Sequence, residues 1–309
     1  MRKIRVGTRG SRLAIWQTDF VINKLLELDD RLEIEKVIIK TTGDKFLDVA
    51  LSRIGDKGLF IKEIEKELLD GSIDMAVHSM KDMPTRITEG LAIGAVLPRE
   101  NSKDVLLSRD NRKLAELPVG AAVGTSSLRR KAQLLALRPD LNIVDLRGNI
   151  DTRIRRLQNG ELDAIVLAAA GVIRLGYEEL VAEDLEIIPA VGQGAIAVEI
   201  RDDDTDIREL VEKLDDRSTR LAIAGERAFL AALEGGCQIP IGCGGSVRDD
   251  FLTLEGLVSD LEGKQVFRSR LSGPAAEAED LGRKLALELV SRGAGAVLEQ
   301  IRIQEMGDE

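Results

Sequence analysis

Aromatic residues, histidine and cysteine are all scarce in this chain of 309 residues. Phe, Trp and Tyr make up 3% of it, which argues against the aromatic platforms on which single-stranded nucleic acids stack. The one histidine, His78, excludes a multi-histidine metal site. Two cysteines, Cys237 and Cys243, cannot build a disulfide framework, and their spacing is not that of a zinc knuckle. We therefore predict a protein without a bound metal.

Long hydrophobic runs and a positive net charge are also missing. The longest apolar run, residues 164–173, is far shorter than the roughly 20 residues that cross a bilayer. A formal net charge of −10 argues against binding a phosphate backbone. The first residues contain no apolar segment of the signal-peptide type. We expect no membrane span, no nucleic-acid partner and a cytoplasmic location with reduced thiols.

The composition is otherwise that of a globular protein, with 44% hydrophobic and 32% charged residues. At about 150 residues per domain, the length predicts two domains or three smaller ones. Strand-like patterns at 4–6, 34–39 and 73–77 alternate with helix-like patterns at 11–28, 59–69 and 127–137. This alternation indicates parallel α/β sheets.

A weak internal repeat divides the first two-thirds of the chain. Val-Gly-Thr precedes a predicted helix at 6–8 and again at 123–125, and segments 71–77 and 160–167 form a second matching pair. Ordinary α/β turns would produce the same likeness, so gene duplication and shared architecture both remain open. Either way, the repeat predicts two similar lobes.

The predicted fold is α/β. Two similar doubly wound lobes, arranged as in a periplasmic binding protein with a cleft between them, are followed by a small α+β C-terminal domain. Lobe one takes residues 1–98 and 190–215, with a returning strand at 194–200, and lobe two takes 99–189. The C-terminal domain takes 216–309, because 252–257 and 265–271 alternate like antiparallel strands and Pro274 could open a helix.

Local excesses of positive charge stand out in this acidic chain. Residues 1–12 hold five cations and no acid, 124–131 hold three and no acid, and 145–156 hold four against two acids. The first two clusters lie where a predicted strand ends and a helix begins, a place that favours anions. Arginine adds a fork that suits carboxylates. The pattern predicts a polycarboxylate ligand, although about half of these arginines, Arg155 and Arg156 first, could equally be solvated helix faces.

Three further positions are candidates for chemistry. Asp82 follows a buried strand beside Lys81, at a sheet edge where ligands bind, although such a pair is commonly just a turn. Cys237 lies in a glycine-rich loop that a bulky group could approach, although a buried inert thiol fits too. Gln193 lies in a glycine-bracketed loop close to residue 190, where the chain is predicted to return from lobe two to lobe one. His78 ends the strand and is more typical of a histidine in the core, or of one that supports a site from behind, than of a catalyst.

Taken together, seven segments resemble the porphobilinogen deaminase family. They occur in family order over nearly the whole chain: TRGSRLA (8–14), KGLF (57–60), HSMKD (78–82), GTSSLRR (124–130), LRGN (146–149), PAVGQG (189–194) and EGGCQ (234–238). The part after Cys243 matches least clearly.

The resemblance implies a three-domain transferase of porphyrin and haem biosynthesis. Four porphobilinogen molecules would be joined head to tail with loss of ammonia, and water would release the linear tetrapyrrole hydroxymethylbilane. A dipyrromethane cofactor would be attached to Cys237 through a thioether. We further expect a monomer with porphobilinogen as its small-molecule substrate.

The resemblance also implies roles for individual residues. Asp82 would be catalytic, stabilising positive charge on the pyrrole and relaying protons. Lys57 and Phe60 would border the entrance, with 41–58 as a lid. The carboxylate groups of substrate and cofactor would be bound by Arg9, Ser11, Ser79, Lys81, Thr125, Ser126, Ser127, Arg129, Arg130, Arg147, Arg153 and Gln193.

Two other functions fit parts of the pattern. A non-catalytic two-lobe protein could bind a polycarboxylate unchanged, but the glycine-flanked Cys237 would then have no purpose. A thiol-dependent enzyme could use Cys237 as nucleophile, but nothing in the sequence places His78, the one imidazole, near it.

Overall fold

The computed structural model describes residues 3–41, 61–233 and 239–307, with side chains up to residue 304. Its contacts divide the chain into two compact units, Met1–Glu100 with Gly194–Arg220 and Asn101–Gln193 with Leu221–Glu309. Three residues of the predicted site, Lys57, Phe60 and Cys237, lie outside the described residues, as does nearly all of the predicted lid. The three-domain boundaries drawn from the sequence stay a prediction.

The first unit is built on one five-stranded sheet of order β2-β1-β3-β10-β4. Elements are numbered along the whole chain, and the strands are β1 (Ile4–Thr8), β2 (Ile34–Ile38), β3 (Met75–Ser79), β4 (Leu91–Val96) and β10 (Ile196–Arg201). The helices are α1 (Arg12–Leu28), α2 (Lys62–Leu69) and α6 (Thr205–Val211). Apolar residues of α1 and α6 pack on one face of the sheet and those of α2 on the other, as in a doubly wound fold.

The second unit repeats this arrangement in a sheet of order β7-β6-β8-β5-β9. Its strands are β5 (Asp104–Ser108), β6 (Ala122–Gly124), β7 (Asn142–Val144), β8 (Ala164–Ala168) and β9 (Val181–Leu185). The helices are α3 (Leu128–Leu137), α4 (Ile150–Gln158) and α5 (Ala169–Arg174). The core of α3 lies on one face of the sheet and that of α4 and α5 on the other.

Equivalent hydrogen bonds explain the internal repeat. Asp74 accepts from the backbone N–H of Arg5 at 2.8 Å, and Asp163 accepts from that of Ala122 at 2.8 Å. Each aspartate thereby joins the start of a strand to the turn before its neighbour. The two lobes are similar α/β units, as the sequence predicted.

Both sheets are mixed, which corrects the expectation of purely parallel sheets. In the first, β10 runs antiparallel to β3 and β4. In the second, β5 runs antiparallel to β8 and β9. The error has a simple cause: β10 and β5 pair with strands remote from them in sequence, and an alternating pattern carries no information about the direction of such a partner.

A three-stranded antiparallel sheet of order β11-β12-β13 forms the C-terminal part of the second unit. It comprises β11 (Ile241–Arg248), β12 (Phe251–Ser259) and β13 (Val266–Pro274), together with α7 (Arg217–Ala232), α8 (Ala278–Leu289) and α9 (Gly295–Gly307). Pro274 ends β13 instead of opening a helix, and α8 begins four residues later, after a 3₁₀ turn. This is the small α+β part expected from the sequence.

Two glycines bring this small sheet against the second lobe. A Cβ on Gly263, in the turn after β12, would lie 2.1 Å from the carbonyl oxygen of Ala132 in α3. A Cβ on Gly242 in β11 would lie 3.0 Å from the carbonyl oxygens of Ile188 and Pro189. Within the second unit, therefore, α3 is held between its own sheet and the C-terminal part.

Helices of the membrane-spanning kind, both long and apolar enough, are not found among the residues that the structure describes.

Candidate functional site

The carboxyl ends of β1 and β3 carry the candidate residues of the first unit. These strands are parallel neighbours, so their carboxyl ends lie at the same edge of the sheet, where open α/β sheets bind ligands. Arg9 and Ser11 follow β1. Ser79 ends β3, and Lys81 and Asp82 come directly after it. The fold thus brings to one edge the five predicted residues of this unit that the structure describes.

Local structure fixes the backbone here and leaves two charged side chains outside. Ser11 caps α1 by accepting from the N–H of Ala14. After β3 the chain forms a 3₁₀ turn, Met80–Asp82, in which Met80 is buried while Lys81 and Asp82 are exposed. An exposed carboxylate on a fixed turn is suited to meeting a ligand.

His78 lies on the same strand, β3, and its side chain is buried in the unit. Its Nε2 lies 3.0 Å from the carboxylate of Glu199 on β10, and both side chains are buried. The expectation of a core histidine agrees with this position. Glu65 on α2 is buried as well, and its burial raises the pKa of its carboxyl, with a smaller contribution from Glu199.

The second unit presents the equivalent edge, formed by β6 and its parallel neighbours β7 and β8. Thr125, Ser126 and Ser127 follow β6, and Ser127 caps α3 by accepting from the N–H of Arg130. Arg147 follows β7, and Arg153 lies on α4. The Thr125 hydroxyl also stabilises the turn, because it accepts a hydrogen bond from the N–H of Ser127.

Arg129 and Arg130 are buried and share one carboxylate, that of Asp104 on β5. Nη1 of Arg129 lies 2.7 Å from one Asp104 oxygen. Nε and Nη2 of Arg130 lie 2.9 Å and 2.7 Å from the other. These two arginines therefore do not form a solvated helix face, which was the alternative considered for the arginines of the sequence.

Asp104 is the residue that sequence reasoning missed. An aspartate that opens an otherwise apolar strand was the available signal, because a carboxylate is buried only with partners. Burial by itself would raise the pKa of the Asp104 carboxyl, but the two guanidiniums outweigh it and hold that pKa far below its usual range.

Positive charge is in excess around this carboxylate. Burial lowers the pKa of Arg129, and repulsion from Arg130 lowers it further. Burial, and then Arg130, lower the pKa of Arg153 to about 10. The Arg147 guanidinium bonds to Asp145 at 3.0 Å. Four arginines therefore interact with two aspartates, a set that an incoming anion would stabilise.

Gln193 joins the same cluster from the loop before β10. Its side-chain amide donates to Asp104 at 3.0 Å and to the carbonyl oxygen of Ser102 at 2.7 Å. The residue is fully buried. The structure thus unites Gln193 with Arg129 and Arg130 around the Asp104 carboxylate, and their role toward a ligand stays a prediction.

The donor set suits a group that carries several carboxylates. A dipyrromethane bears an acetate and a propionate on each ring, and guanidiniums are the donors that bind carboxylates through two parallel hydrogen bonds. Within the described ranges, no cluster of three or more His, Cys, Asp or Glu could hold a metal ion. The residues present therefore fit an acidic organic ligand.

Comparison with known proteins identifies one family, by models that match most of the chain and by relatives that match nearly all of it. A family model described as porphobilinogen deaminase, dipyromethane cofactor binding domain, matches residues 4–209, and a model of the C-terminal domain matches 220–291. The porphobilinogen deaminase of Pelotomaculum thermopropionicum is 53% identical over 98% of both chains. That of Geobacillus kaustophilus is 51% identical over 100% of both.

Among solved structures, a putative methionine-binding lipoprotein of Bacillus subtilis aligns with 70% of this chain and 91% of its own, at 14% identity and a TM-score of 0.44. The assignment follows from the family models and the full-length relatives: this chain belongs to the porphobilinogen deaminase family.

Proposed function

We propose that this chain carries out the porphobilinogen deaminase reaction with the residues gathered at the two sheet edges. Four porphobilinogen molecules are condensed, and water then releases hydroxymethylbilane. In each condensation the aminomethyl carbon of one porphobilinogen bonds to the free pyrrole carbon of the growing chain, while ammonia and a proton leave. The product belongs to porphyrin and haem biosynthesis.

The arginines of the second unit bind and orient the acidic arms of the pyrroles. Arg129 and Arg130 are buried, Arg153 is partly buried, and positive charge is in excess around them, so a carboxylate replaces the water that they lose. Arg147, with Thr125, Ser126 and Ser127 at the turn before α3, adds donors from the same edge. Arg9, Ser11, Ser79 and Lys81 act in the same way in the first unit.

Asp82 holds a negative charge where positive charge develops. Loss of ammonia leaves a cationic carbon, and the attacking pyrrole becomes positive as the bond forms. A carboxylate fixed by the turn after β3 stabilises that charge with less reorganisation than water needs. The same group can accept the proton that leaves the pyrrole carbon.

The dipyrromethane cofactor supplies, when bound, the free pyrrole carbon on which chain growth starts. We assign its thioether to Cys237, which lies in the segment EGGCQ of the sequence. The other thiol, Cys243, is fully buried in β11 and packs in the C-terminal core, where it has no room for such a group. A non-catalytic binding protein is not favoured, because the full-length relatives are deaminases.

The observation that carries the proposal is the excess positive charge of the buried Arg129 and Arg130, which share the Asp104 carboxylate, together with the partly buried Arg153. Intact-protein mass spectrometry tests it. The purified chain should be heavier than its sequence by one dipyrromethane, and it should convert porphobilinogen to hydroxymethylbilane. Cys237→Ser should lose the added mass, and Cys243→Ser should keep it. A wild-type chain of unmodified mass without turnover would refute the proposal.

Oligomeric state and location belong to the proposal as well. We infer a monomer acting in the cytoplasm, on the support of an acidic sequence without a heptad run. Sedimentation equilibrium at micromolar concentration should give the mass of one chain, and a dimer would correct this part alone.

A further inference from the structure

Three residues proposed to hold ligand converge on a single carboxylate. One oxygen of Asp104 accepts from Nη1 of Arg129, and the other accepts from Arg130 and from the side-chain amide of Gln193 at 3.0 Å. Asp104 itself is fully buried. Because it opens β5, next to β8 in the middle of the sheet, the carboxylate sits on one of the most constrained parts of the unit.

Each guanidinium is held from a second direction by a carbonyl oxygen. Nη1 of Arg129 donates to Ile188 at 2.6 Å, and Nη1 of Arg130 donates to Val166 at 3.0 Å. A guanidinium has five N–H donors in a rigid plane, so two fixed contacts determine the direction of the remainder. Nε and Nη2 of Arg129 donate to no group within the described part of the chain, and their direction is set by the Asp104 contact.

Gln193 extends the arrangement into the loop before β10. The next residue back in that loop, Gly192, donates its N–H to the buried carboxylate of Glu226 on α7 at 2.7 Å. The other Glu226 oxygen accepts from the N–H of Gly245 on β11 at 2.7 Å. A continuous set of buried polar contacts therefore connects Asp104 with α7 and β11, the elements that flank Cys237 in sequence.

A buried carboxylate beside anion-binding arginines could act in two opposite ways. As a plain counter-ion it would compete with the ligand, and its removal would strengthen ligand binding. As an orienting group it would hold the guanidiniums in their binding orientation before the ligand arrives, and its removal would weaken ligand binding. The two contacts on each guanidinium favour the second role, because bare neutralisation needs no such directional geometry.

We propose that Asp104 is a positioning residue that orients Arg129, Arg130 and Gln193 for the carboxylates of the pyrrole ligand. This inference rests on the proposed function. Asp104 does not touch substrate in this role; it acts through the arginines.

The test compares cofactor loading in Asp104→Asn with a matched control. The control is Asp74→Asn, a buried aspartate of the first unit that also binds two arginines, Arg5 and Arg201, but lies before β3, away from its ligand-binding edge. Both variants are purified as full chains, their folded fractions are matched by circular dichroism, and the loaded fraction is read from the intact mass. Asp104→Asn should be loaded about tenfold less than wild type, while Asp74→Asn should be loaded normally.

A second variant separates orientation from stability. Asp104→Asn combined with Arg129→Gln removes one positive and one negative charge, which should restore much of the lost thermal stability, and Arg129→Gln alone is its reference. Because Asp104 also binds Arg130 and Gln193, the double variant should still be loaded less than Arg129→Gln. Equal or greater loading in Asp104→Asn than in wild type would overturn the proposal, and so would equal or greater loading in the double variant than in Arg129→Gln. If the wild-type chain itself carries no added mass, the proposed function fails instead.

Discussion

The side-chain amide of Gln17 donates to the hydroxyl of Ser79 at 3.0 Å. This bond joins α1 to the last residue of β3, immediately before the turn that carries Lys81 and Asp82. The backbone N–H of Met80 adds a bond to Ala195 on the other side. The position of Asp82 is therefore set by buried groups from both neighbouring segments.

Replacing that carboxylate should separate loading from turnover. Asp82→Asn keeps the size of the side chain and removes its charge and basicity, so we expect normal cofactor mass but turnover reduced about 10²- to 10⁴-fold. Steady-state kinetics with porphobilinogen, alongside the intact mass, measures both. Glu89→Gln, an exposed carboxylate of the same unit, should behave as wild type. Near-normal turnover in Asp82→Asn would remove Asp82 from the catalytic role.

Replacing Arg153 should weaken cofactor binding while leaving the stability of the fold almost unchanged. Its pKa is lowered to about 10 by burial and by Arg130, so the fold disfavours its charge. Arg153→Gln loses a bond to the carbonyl of Gly148 but relieves that repulsion, and the free energy of unfolding of the cofactor-free chain should change by less than about 1 kcal/mol. Loading should nevertheless fall. Arg155→Gln, exposed on the same helix, should change neither quantity, and loss of stability without loss of loading would contradict this prediction.

The contribution of Asp104 to stability should depend on pH in one direction. Because the pKa of its carboxyl is lower in the folded chain than the value of about 4 in an unfolded chain, the stabilisation is complete above that value and is lost as the pH falls below it. Denaturation of wild type and Asp104→Asn at pH 7, 5 and 3 measures this. The difference in the free energy of unfolding should be largest at pH 7 and 5 and smaller at pH 3. If the difference in the free energy of unfolding between wild type and Asp104→Asn increased as the pH falls, it would contradict this prediction.

Gly282 offers a test of packing in the C-terminal part. A Cβ there would lie 2.1 Å from the carbonyl oxygen of Gly225, so α7 and α8 approach each other backbone to backbone. Alanine normally stabilises a helix interior relative to glycine, but here we expect Gly282→Ala to lower the free energy of unfolding by about 2 kcal/mol or more. Gly10→Ala, whose Cβ would meet only Ile38 at 3.5 Å, should cost far less. Urea denaturation compares the two.

Local patterns predicted the parts of the fold that local interactions determine. The helix-like patterns at 11–28 and 127–137 begin at serines, and in the structure Ser11 and Ser127 cap α1 and α3, because the hydroxyl of the residue before a helix can reach the N–H groups of its first turn. Conversely, Pro274 was expected to open a helix, yet it ends β13, where it pairs with Phe251 of β12. Pairing between distant residues outweighs such local preferences.

The candidate site shows the same division. Its arginines were found from the local excess of positive charge, whereas Asp104, 25 residues before Arg129, has no local relation to them and becomes their partner only when β5 enters the sheet. The strand directions of β5 and β10 were missed for the same reason. Charge clusters predict an anion-binding site, but the carboxylate that the two arginines share is evident only from the fold.

Arg129 and Arg130 lie beneath the protein surface, each only a few per cent accessible to solvent. Mobile ions screen charges of this kind much less than charges on a surface, where the screening length is about 10 Å at 0.1 M salt. The affinity of the second unit for an acidic ligand should therefore persist at ionic strengths that would dissociate the same ligand from an exposed basic surface. High salt should lower the association rate constant by a larger factor than it raises the dissociation rate constant.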